Sequence, residues 1–449
     1  MKRGLRLVII FTVMATVLCG CSLGNTSELL SLPDPSPEHA ALLSAVESQT
    51  RQGWEFASPL NGENRSTMQS VDFYSDGIPE TVVFLRKPNE MRLRMAVYAK
   101  TGSQGYRLAF SVDCSGNQFD MADFADLNGD GNTEIVVGLR SGSSALMSIS
   151  VYTVENDTVR SVFDTSYTAA ALSDMTRNGI KELLVVNYAD RAFARLYSFG
   201  RADCSAALLG EAPLSPNMSK PGELILGMFN ERTAGAVVEG SYVEHGSTVY
   251  ISDYLAYTEN GLENLSYSEF FGYSYTTVRN ENVVSCDINF DSYLEFPIVT
   301  PEPNGGTAGK YISWYRYDSR GDLSFLCASY GSTADSWYFL YPESWRGRVY
   351  TRHSADGDGG ELTEFVYDHQ GSSCVLLSVY LYPHLTDAEV ASGGGTRTFI
   401  TDKAGNLVYA LIGAPSLQIP SEMLVRSYGD VKRSLAAVNS YGEAFLAAR

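Results

Sequence analysis

The chain has few of the residues and motifs on which most enzymes depend. Only five histidines occur among its 449 residues, and none stands in an HExxH pattern or a recognisable catalytic triad. There is no GxSxG pentapeptide, no P-loop and no GxGxxG that follows a strand. The sequence therefore gives no evidence for a zinc protease, a serine hydrolase of the α/β type or a nucleotide-binding domain.

Cysteine and basic residues are also scarce. Two of the seven cysteines lie near the N-terminus, and the others follow neither CxxC nor zinc-site spacing: Cys114, Cys204, Cys286, Cys327 and Cys374. We interpret these five mainly as small apolar core residues, with one or two disulfide bridges as the alternative. The net charge of −19 becomes −22 once the three basic residues of positions 1–20 are removed. Such an acidic surface argues against nucleic acid and anionic lipid headgroups as partners.

The first twenty residues have the pattern of a secretory signal. Basic residues at positions 2, 3 and 6 precede an apolar stretch, Leu7 to Leu18, which is too short for a transmembrane helix. The stretch ends in Leu-Cys-Gly-Cys, which resembles a bacterial lipobox with Cys21 as the lipidated residue. An ordinary signal peptide with a chance cysteine is the alternative. We therefore expect a lipid anchor on the extracytoplasmic face of a bacterial cell membrane.

The residues after the signal read as a tether followed by a helix. Residues 21–37 are rich in Ser, Pro, Gly and Asn, a composition typical of flexible linkers. A helix is predicted over residues 38–52, with Ser36 as its N-cap and Pro37 at its first position. Its predicted apolar side consists of Ala40, Leu42, Leu43 and Val46.

Two further segments share one pattern of oxygen-bearing side chains. Residues 126–134 and 287–295 both place Asp, Asn, Asp and Glu at positions 1, 3, 5 and 9 of a tight loop. This spacing suits Ca²⁺, which takes about six to eight oxygen ligands. Position 12 is Val137 in one loop and Ile298 in the other, where an EF-hand requires glutamate and a following helix. The loops are therefore expected to lead into β-strands.

The pattern recurs along the chain. Weaker copies begin at Asp72 and Asp174, so successive loop starts lie 54, 48 and 113 residues apart. The last interval is about twice as long as the others and therefore predicts one further repeat within it. Aligning the following strands places its start at Gly227, with Glu231 as the only remaining candidate ligand. A strand ending in tyrosine follows each loop, at Tyr98, Tyr152, Tyr197, Tyr257 and Tyr317. Five units of about 50 residues predict an all-β fold, a β-propeller of about five to seven blades over residues 53–330.

The loop pattern resembles the FG-GAP/VCBS repeat of integrin-α-type β-propellers. The resemblance covers roughly residues 55–330 and implies that the loops bind Ca²⁺. Three residues depart from the pattern, namely Tyr74, Lys181 and Ser292, and we expect the loops at 72 and 174 to keep the turn without the metal. The implied ligands are Asp126, Asn128, Asp130, the Asn132 carbonyl and Glu134, and Asp287, Asn289, Asp291, the Tyr293 carbonyl and Glu295.

The repeat rhythm stops after residue 330. Residues 331–449 are predicted to form a small antiparallel β-rich domain, with extra propeller blades as the alternative. Aromatic residues cluster at 338–350 and at 267–275, where they would form either a stacking platform for sugars or peptides or part of the core.

The most specific functional hypothesis is a noncatalytic, lipid-anchored module that recognises a protein or a glycan at the cell envelope. Calcium would then mainly stabilise the turns, with a regulated or ligand-bridging ion as the alternative. The competing hypothesis is an envelope carbohydrate-active hydrolase or lyase with its site on the propeller axis. A purely structural role is a third option. Fold-level analogy is the basis of all three.

Overall fold

The structure is a computed structural model that describes most of the chain after residue 35. The described residues are 36–102, 105–142, 147–155, 157–188, 191–300, 309–318, 322–332, 337–355, 360–382, 398–401, 407–413, 419–425 and 435–437. The signal, the lipidation site Cys21 and nearly all of the tether lie outside this part of the chain. No helix in the described part combines the length and apolar character that crossing a membrane requires.

The predicted N-terminal helix is present as α1, Pro37–Thr50. The Ser36 side chain caps it by accepting the backbone N–H of His39 at 3.2 Å. Leu42 and Val46 are buried as predicted, whereas Ala40 is exposed. Short 3₁₀ turns occur at Pro88–Glu90, Tyr275–Thr277, Glu343–Trp345 and Ser421–Met423.

The described strands form six antiparallel sheets, which follow one another along the chain. Sheet 1 contains β1 (Glu55–Phe56), β2 (Met68–Val71), β3 (Glu80–Lys87), β4 (Arg92–Thr101) and β5 (Gly105–Ser115). Sheet 2 contains β6 (Gln118–Ala125), β7 (Glu134–Arg140), β8 (Met147–Glu155) and β9 (Thr158–Tyr167). Sheet 3 contains β10 (Ala169–Ser173), β11 (Glu182–Asn187), β12 (Phe193–Phe199) and β13 (Ala206–Pro213).

The remaining three sheets complete the described chain. Sheet 4 contains β14 (Lys220–Met228), β15 (Ala234–Glu244), β16 (Ser247–Thr258) and β17 (Gly261–Asn264). Sheet 5 contains β18 (Phe296–Thr300), β19 (Gly309–Tyr317), β20 (Leu323–Ser332), β21 (Trp337–Leu340) and β27 (Leu435–Ala437). Sheet 6 contains β22 (Val349–Ala355), β23 (Glu361–His369), β24 (Ser372–Tyr382), β25 (Thr398–Thr401) and β26 (Leu407–Ile412).

The sheets stack face to face because their middle strands are apolar on both faces. Along β7, Ile135 and Val137 belong to the apolar cluster shared with sheet 1, while Val136 belongs to the cluster shared with sheet 3. Further clusters join sheet 3 to sheet 4, sheet 4 to sheet 5 and sheet 5 to sheet 6. The other face of sheet 1 packs against α1 through Val83 and Leu85. Such serial stacking of four- and five-stranded sheets is a propeller-like arrangement.

The all-β prediction, with an N-terminal helix, a propeller-like repeat and a β-rich C-terminal part, is confirmed. Each landmark tyrosine lies on the second strand after its loop, namely β4, β8, β12, β16 and β19. The boundary predicted after residue 330 falls inside β20, which pairs with β19 and with β21. Sheets 5 and 6 also share one core that contains Tyr330, Phe339 and Phe365.

Candidate metal loops and axial cavity

The predicted calcium-type loops occupy one equivalent place in successive sheets. The loops that begin at residues 72, 126 and 174 connect β2 to β3, β6 to β7 and β10 to β11. In the loop that begins at 287, Cys286 forms a bridge with Glu295 and so replaces the first strand, and β18 follows directly. We call these loops 1, 2, 3 and 5, after their sheets.

The four loops close by the same three hydrogen bonds. The carboxylate at position 1 accepts the N–H of position 6, and the side-chain oxygen at position 5 accepts the N–H of position 7. The glutamate at position 9 accepts the N–H of position 2, which belongs to a buried apolar residue in every loop. These last bonds run from Phe73 to Glu80 (3.3 Å), Leu127 to Glu134 (2.8 Å), Met175 to Glu182 (2.8 Å) and Ile288 to Glu295 (3.0 Å).

The loops also share left-handed backbone at positions 4 and 6. Position 6 is glycine in loops 1 to 3, whereas loop 5 has Ser292 at φ 74°. Position 4 is Phe290 in loop 5, with φ 62°. Left-handed conformations cost side-chain-bearing residues about 1 kcal/mol or more, so loop 5 keeps the fold of its glycine-containing relatives under backbone strain.

Loop 5 brings its acidic side chains closest together. Ligand oxygens of Asp287, Asp291 and Glu295 all lie within 4.8 Å of one another, the one such group of three among the described residues. Glu295 is fully buried, and its Oε1 has no hydrogen-bond partner. A guanidinium nitrogen of Arg316 lies 3.8 Å from that oxygen, too far for a hydrogen bond, and forms an ion pair with Asp291. Burial, followed by the neighbouring carboxylates, raises the pKa of Glu295 to about 8.

Loop 2 has the same donor set but holds it differently. Oε1 of Glu134 accepts the hydroxyl of Thr153 at 3.2 Å, so both carboxylate oxygens have protein donors. The Asn128 amide donates to Asp130 at 3.0 Å, and Asp130 accepts the N–H of Asn132 at 2.7 Å. Burial raises the pKa of Glu134 to about 7. Loop 5 has the same bonds from Asn289 and from the backbone of Tyr293 to Asp291, so the second donor to Glu134 is what distinguishes loop 2.

Loop 3 is the most self-sufficient of the four. Glu182 accepts the hydroxyl of Thr176 at 2.6 Å in addition to the backbone N–H of Met175. The corresponding turn of sheet 4, residues 229–233, is shorter and is held by Asn230, whose Oδ1 accepts the N–H groups of Arg232 and Thr233. Glu231, the ligand candidate of the hidden repeat, is exposed there.

Neighbouring loops contact one another around a common centre. Ser75 of loop 1 donates to the Gly131 carbonyl of loop 2 at 2.6 Å. The side chain of Ile180 in loop 3 lies beside Gly129 of loop 2, where a Cβ would come within 2.7 Å of it. The N–H of Leu294 in loop 5 donates to the Met228 carbonyl at the end of β14 at 2.7 Å.

Strands β2, β6, β10 and β14, together with residues near these loops, line an open cavity of about 1320 Å³. We call it the axial cavity. It is lined by residues of β2, β6, β10 and β14 and by Ser285 to Asp287, and loop residues such as Lys181 and Leu294 also reach it. The segment 61–65, between β1 and β2, covers part of its wall. Residues from five successive sheets therefore face the axial cavity.

Two carboxylates on β6 face the cavity in different states. Asp120 is 3 % exposed and accepts hydrogen bonds from Arg140 (2.6 Å), Tyr167 (2.5 Å) and Asn61 (2.8 Å). Asp123 accepts one bond, from Asn64 at 3.2 Å. Burial raises the pKa of Asp123 to about 6, against the opposing attraction of Lys181. No spacing in the sequence marked these residues, because their proximity to Asn64 and Lys181 arises only when sheets pack.

The two aromatic clusters differ in exposure. Tyr338, Phe339, Tyr341 and Trp345 are buried and belong to the core, so they provide no stacking platform. Phe270 and Phe271 are 88 % and 49 % exposed, with ring centroids 4.9 Å apart. Among the cysteines, all five in the described chain are unpaired and buried or half-buried: Cys114, Cys204, Cys286, Cys327 and Cys374.

We expect Ser292→Gly to stabilise the protein by about 0.5–1 kcal/mol, because glycine adopts φ 74° without strain. This relief of strain should exceed the cost of the greater chain entropy that glycine has in the unfolded state. Urea unfolding in EDTA measures the difference. The same substitution at Ser324, in strand β20, is the control and should destabilise. Unchanged or lowered stability in Ser292→Gly would contradict the proposed strain.

We expect Asp123→Asn to stabilise the protein at neutral pH by about 1–2 kcal/mol. The pKa of Asp123 rises from 3.8 to about 6 on folding, so the folded state binds more protons between these values. The contribution of Asp123 to the free energy of unfolding is therefore lost as pH rises from about 4 to about 6. An asparagine side chain does not titrate, so the variant should not lose stability in this way. Urea unfolding at pH 4.5 and 7 tests this, and a variant destabilised at pH 7 would contradict it.

Comparison with known proteins identifies no family. No family model matches the chain, and no curated protein does. Among solved structures, Sqt1 of Saccharomyces cerevisiae has a TM-score of 0.27 at 11 % identity, over 76 % of this chain and 94 % of that one. An exo-β-1,3-galactanase from Clostridium thermocellum has a TM-score of 0.26 at 10 % identity, over 82 % of both chains. The exotype rhamnogalacturonan lyase YesX has a TM-score of 0.27 at 10 % identity, over 71 % of this chain and 62 % of its own. Likeness at this level supports no conclusion about function.

Proposed function

We propose that this protein is a noncatalytic binding module, anchored by lipid at Cys21 to the extracytoplasmic face of a bacterial cell membrane, that recognises a protein or a glycan of the envelope. Structural Ca²⁺ would support its repeat loops. The observation that carries the calcium proposal is the buried oxygen Oε1 of Glu295, which has no hydrogen-bond partner beside two further carboxylates.

The donor set of loop 5 fits a hard cation. Asp287, Asp291 and Glu295 supply carboxylates, Asn289 supplies an amide oxygen and Tyr293 can supply its carbonyl. When bound, Ca²⁺ would neutralise the clustered carboxylates and hold the turn before β18. Arg316 partly supplies this charge through its ion pair with Asp291, so the cation and the guanidinium would compete for one oxygen.

Loop 2 is the second proposed site, with Asp126, Asn128, Asp130, the Asn132 carbonyl and Glu134 as its ligands. Its glutamate already has two protein donors. A cation there would have to share these oxygens, and we therefore propose weaker binding than at loop 5. Loops 1 and 3 would keep the turn without a metal, as their position-3 residues Tyr74 and Thr176 suggest.

A binding role is favoured over hydrolysis by the state of the cavity carboxylates. A glycoside hydrolase of the usual kind requires two carboxyl groups that act on opposite sides of the scissile bond. Asp120 is engaged by three donors and is nearly inaccessible. Asp123, with its raised pKa, could serve as the acid of such a pair. Strand β6 provides no second accessible carboxyl group to act with it. The hydrolase or lyase hypothesis remains second for this reason.

We expect Ca²⁺ at roughly 100-fold excess over Kd to stabilise the folded wild-type protein by about 2–3 kcal/mol, and so to raise its melting temperature above the value in EDTA. Glu295→Gln should abolish most of this increase. Its stability in EDTA should not fall, because the substitution removes a buried charge with an unpartnered oxygen. Differential scanning calorimetry measures both effects.

The matched control for that experiment is Glu182→Gln in loop 3, whose glutamate has protein donors on both oxygens. This variant should lose stability in EDTA and in calcium alike and keep the calcium-dependent increase. A wild-type protein indifferent to Ca²⁺, or a Glu295→Gln variant that keeps the full increase, would contradict the assignment.

We expect Cys21→Ser to release the protein from the membrane, because serine cannot carry the thioether-linked lipid that we propose as its anchor. Fractionation of expressing cells, followed by immunoblotting of membrane and soluble fractions, measures the change. Cys19→Ser is the control and should leave the protein in the membrane fraction. Retention of the processed Cys21→Ser variant would contradict a lipid anchor at this residue.

A further inference from the structure

We infer that the axial cavity binds a neutral oligosaccharide. The inference rests on the proposed binding function and specifies its site and its ligand class. The cavity has a volume of about 1320 Å³, above the roughly 300–1,000 Å³ of common small-molecule pockets, so it has room for a ligand of several sugar units.

The charges of the cavity wall argue against a strongly charged ligand. Arg140 forms an ion pair with Asp120 at 2.6 Å, and Lys181 attracts Asp123. Asp72 is engaged by the backbone N–H groups of its own loop. The lining also includes Glu63, Arg65 and Asp287, so charges of both signs are spread around the cavity. A ligand with many charges of one sign would therefore meet like charges of the wall as well as opposite ones.

The same wall offers both hydrogen-bond donors and acceptors. Asp123 has one oxygen bonded to Asn64, and none of the described residues donates to its second oxygen. The Lys181 ammonium lies near enough to affect the Asp123 carboxylate, and it is exposed. A vicinal diol donates one hydrogen bond and accepts another, so it matches this carboxylate and ammonium without requiring a net charge.

Small apolar residues complete the wall. Ala169, Ala170, Ala171 and Leu172 of β10 are half-buried and line the cavity, as does Phe124 of β6. These side chains leave room at the innermost strand of sheet 3 and present a surface on which the C–H face of a sugar ring can pack. The wall thus combines charges of both signs, a carboxylate and an ammonium group that can bond to hydroxyl groups, and small apolar side chains. This combination favours a neutral glycan over a peptide with charged side chains.

The exposed pair Phe270 and Phe271 is the rival surface for a binding function. Their rings meet edge to face, with an interplanar angle of 87°, and they stand outside the axial cavity lining. Aromatic residues at this exposure also favour protein or glycan contacts. Substitutions can distinguish the two surfaces, because residues of either one can be changed without altering the other.

The test is isothermal titration calorimetry in calcium with the mature protein and three classes of hexasaccharide. The neutral probes are cello-, manno-, xylo- and chitohexaose, the anionic probe is hexagalacturonate and the cationic probe is the chitosan hexamer. We expect at least one neutral probe to bind and both charged probes to bind more weakly. Binding of no neutral probe, or preference for a charged one, would overturn the inference.

Two cavity variants and matched controls locate the site. Asp123→Asn should weaken binding about tenfold, the cost of one charge-assisted hydrogen bond. Ala171→Phe should weaken it at least as much, because the added ring takes up part of the space that the ligand needs. Asp203→Asn and Ala207→Phe alter exposed residues at the outer side of the same region and should bind like wild type. Thermal unfolding of each variant verifies folding, and Asp123→Asn is expected to be at least as stable as wild type.

Failure of the inference and failure of the proposed function have different signatures. Loss of binding in Phe270→Ser but not in Asp123→Asn or Ala171→Phe would overturn the cavity assignment and leave the binding function intact. Absence of binding to all hexasaccharides, together with absence of binding to isolated envelope preparations, would overturn both. Release of reducing ends during the titration would retain the cavity site and refute the noncatalytic role.

Discussion

The repeat depends on a buried glutamate that accepts the backbone N–H of an apolar residue seven positions earlier. This hydrogen bond ties the end of each inner strand to the start of the next strand in four sheets. It also holds the apolar residue at position 2, such as Phe73 or Leu127, inside the core between sheets. An unpaired buried N–H would cost about 1–3 kcal/mol, so the glutamate is required wherever the loop turns over the core.

Burial of this carboxylate has its own cost, which the loops offset to different degrees. Thr176 and the backbone satisfy Glu182, and Thr153 satisfies the second oxygen of Glu134. Glu295 has one backbone donor and a distant guanidinium, and burial raises its pKa to about 8. The position-9 glutamate thus has the most complete set of donors in loop 3, a less complete set in loop 2 and the least complete set in loop 5. A bound cation would stabilise the loops in the opposite order, with the largest effect at loop 5. Calcium in our proposal thus completes a charge balance that the protein leaves incomplete at one place.

The same loops meet around the axis, and this links the turns to the proposed ligand site. Lys181 occupies position 8 of loop 3, where it departs from a metal-binding pattern, and its charge instead acts on Asp123 of the neighbouring sheet. Asp287, a proposed ligand of the cation, lies at the cavity wall. The loops and the cavity therefore share residues, so the conformation of the loops also affects the shape of the cavity.

Sequence patterns predicted the features that depend on local spacing. Positions 1, 5 and 9 of the loops, the helix cap at Ser36 and the strand tyrosines follow from hydrogen bonds and turns that span fewer than ten residues or from a repeat period. The patterns did not predict Arg316 beside loop 5, because it comes from β19. They also left open whether Trp345 and Phe270 belong to the core or to an exposed surface, because the spacing of aromatic residues does not show what packs against them.

The sequence by itself determined an all-β chain of repeated sheets whose turns carry clustered oxygens, because strand alternation and turn chemistry are written in neighbouring residues. Only the tertiary structure decided which carboxylates remain without a partner and which residues share the axial cavity. The physical reason is that donors such as Thr153 and Arg316, and cavity residues such as Asp123 and Lys181, meet across strands or sheets. Packing alone, and no sequence interval, sets those distances.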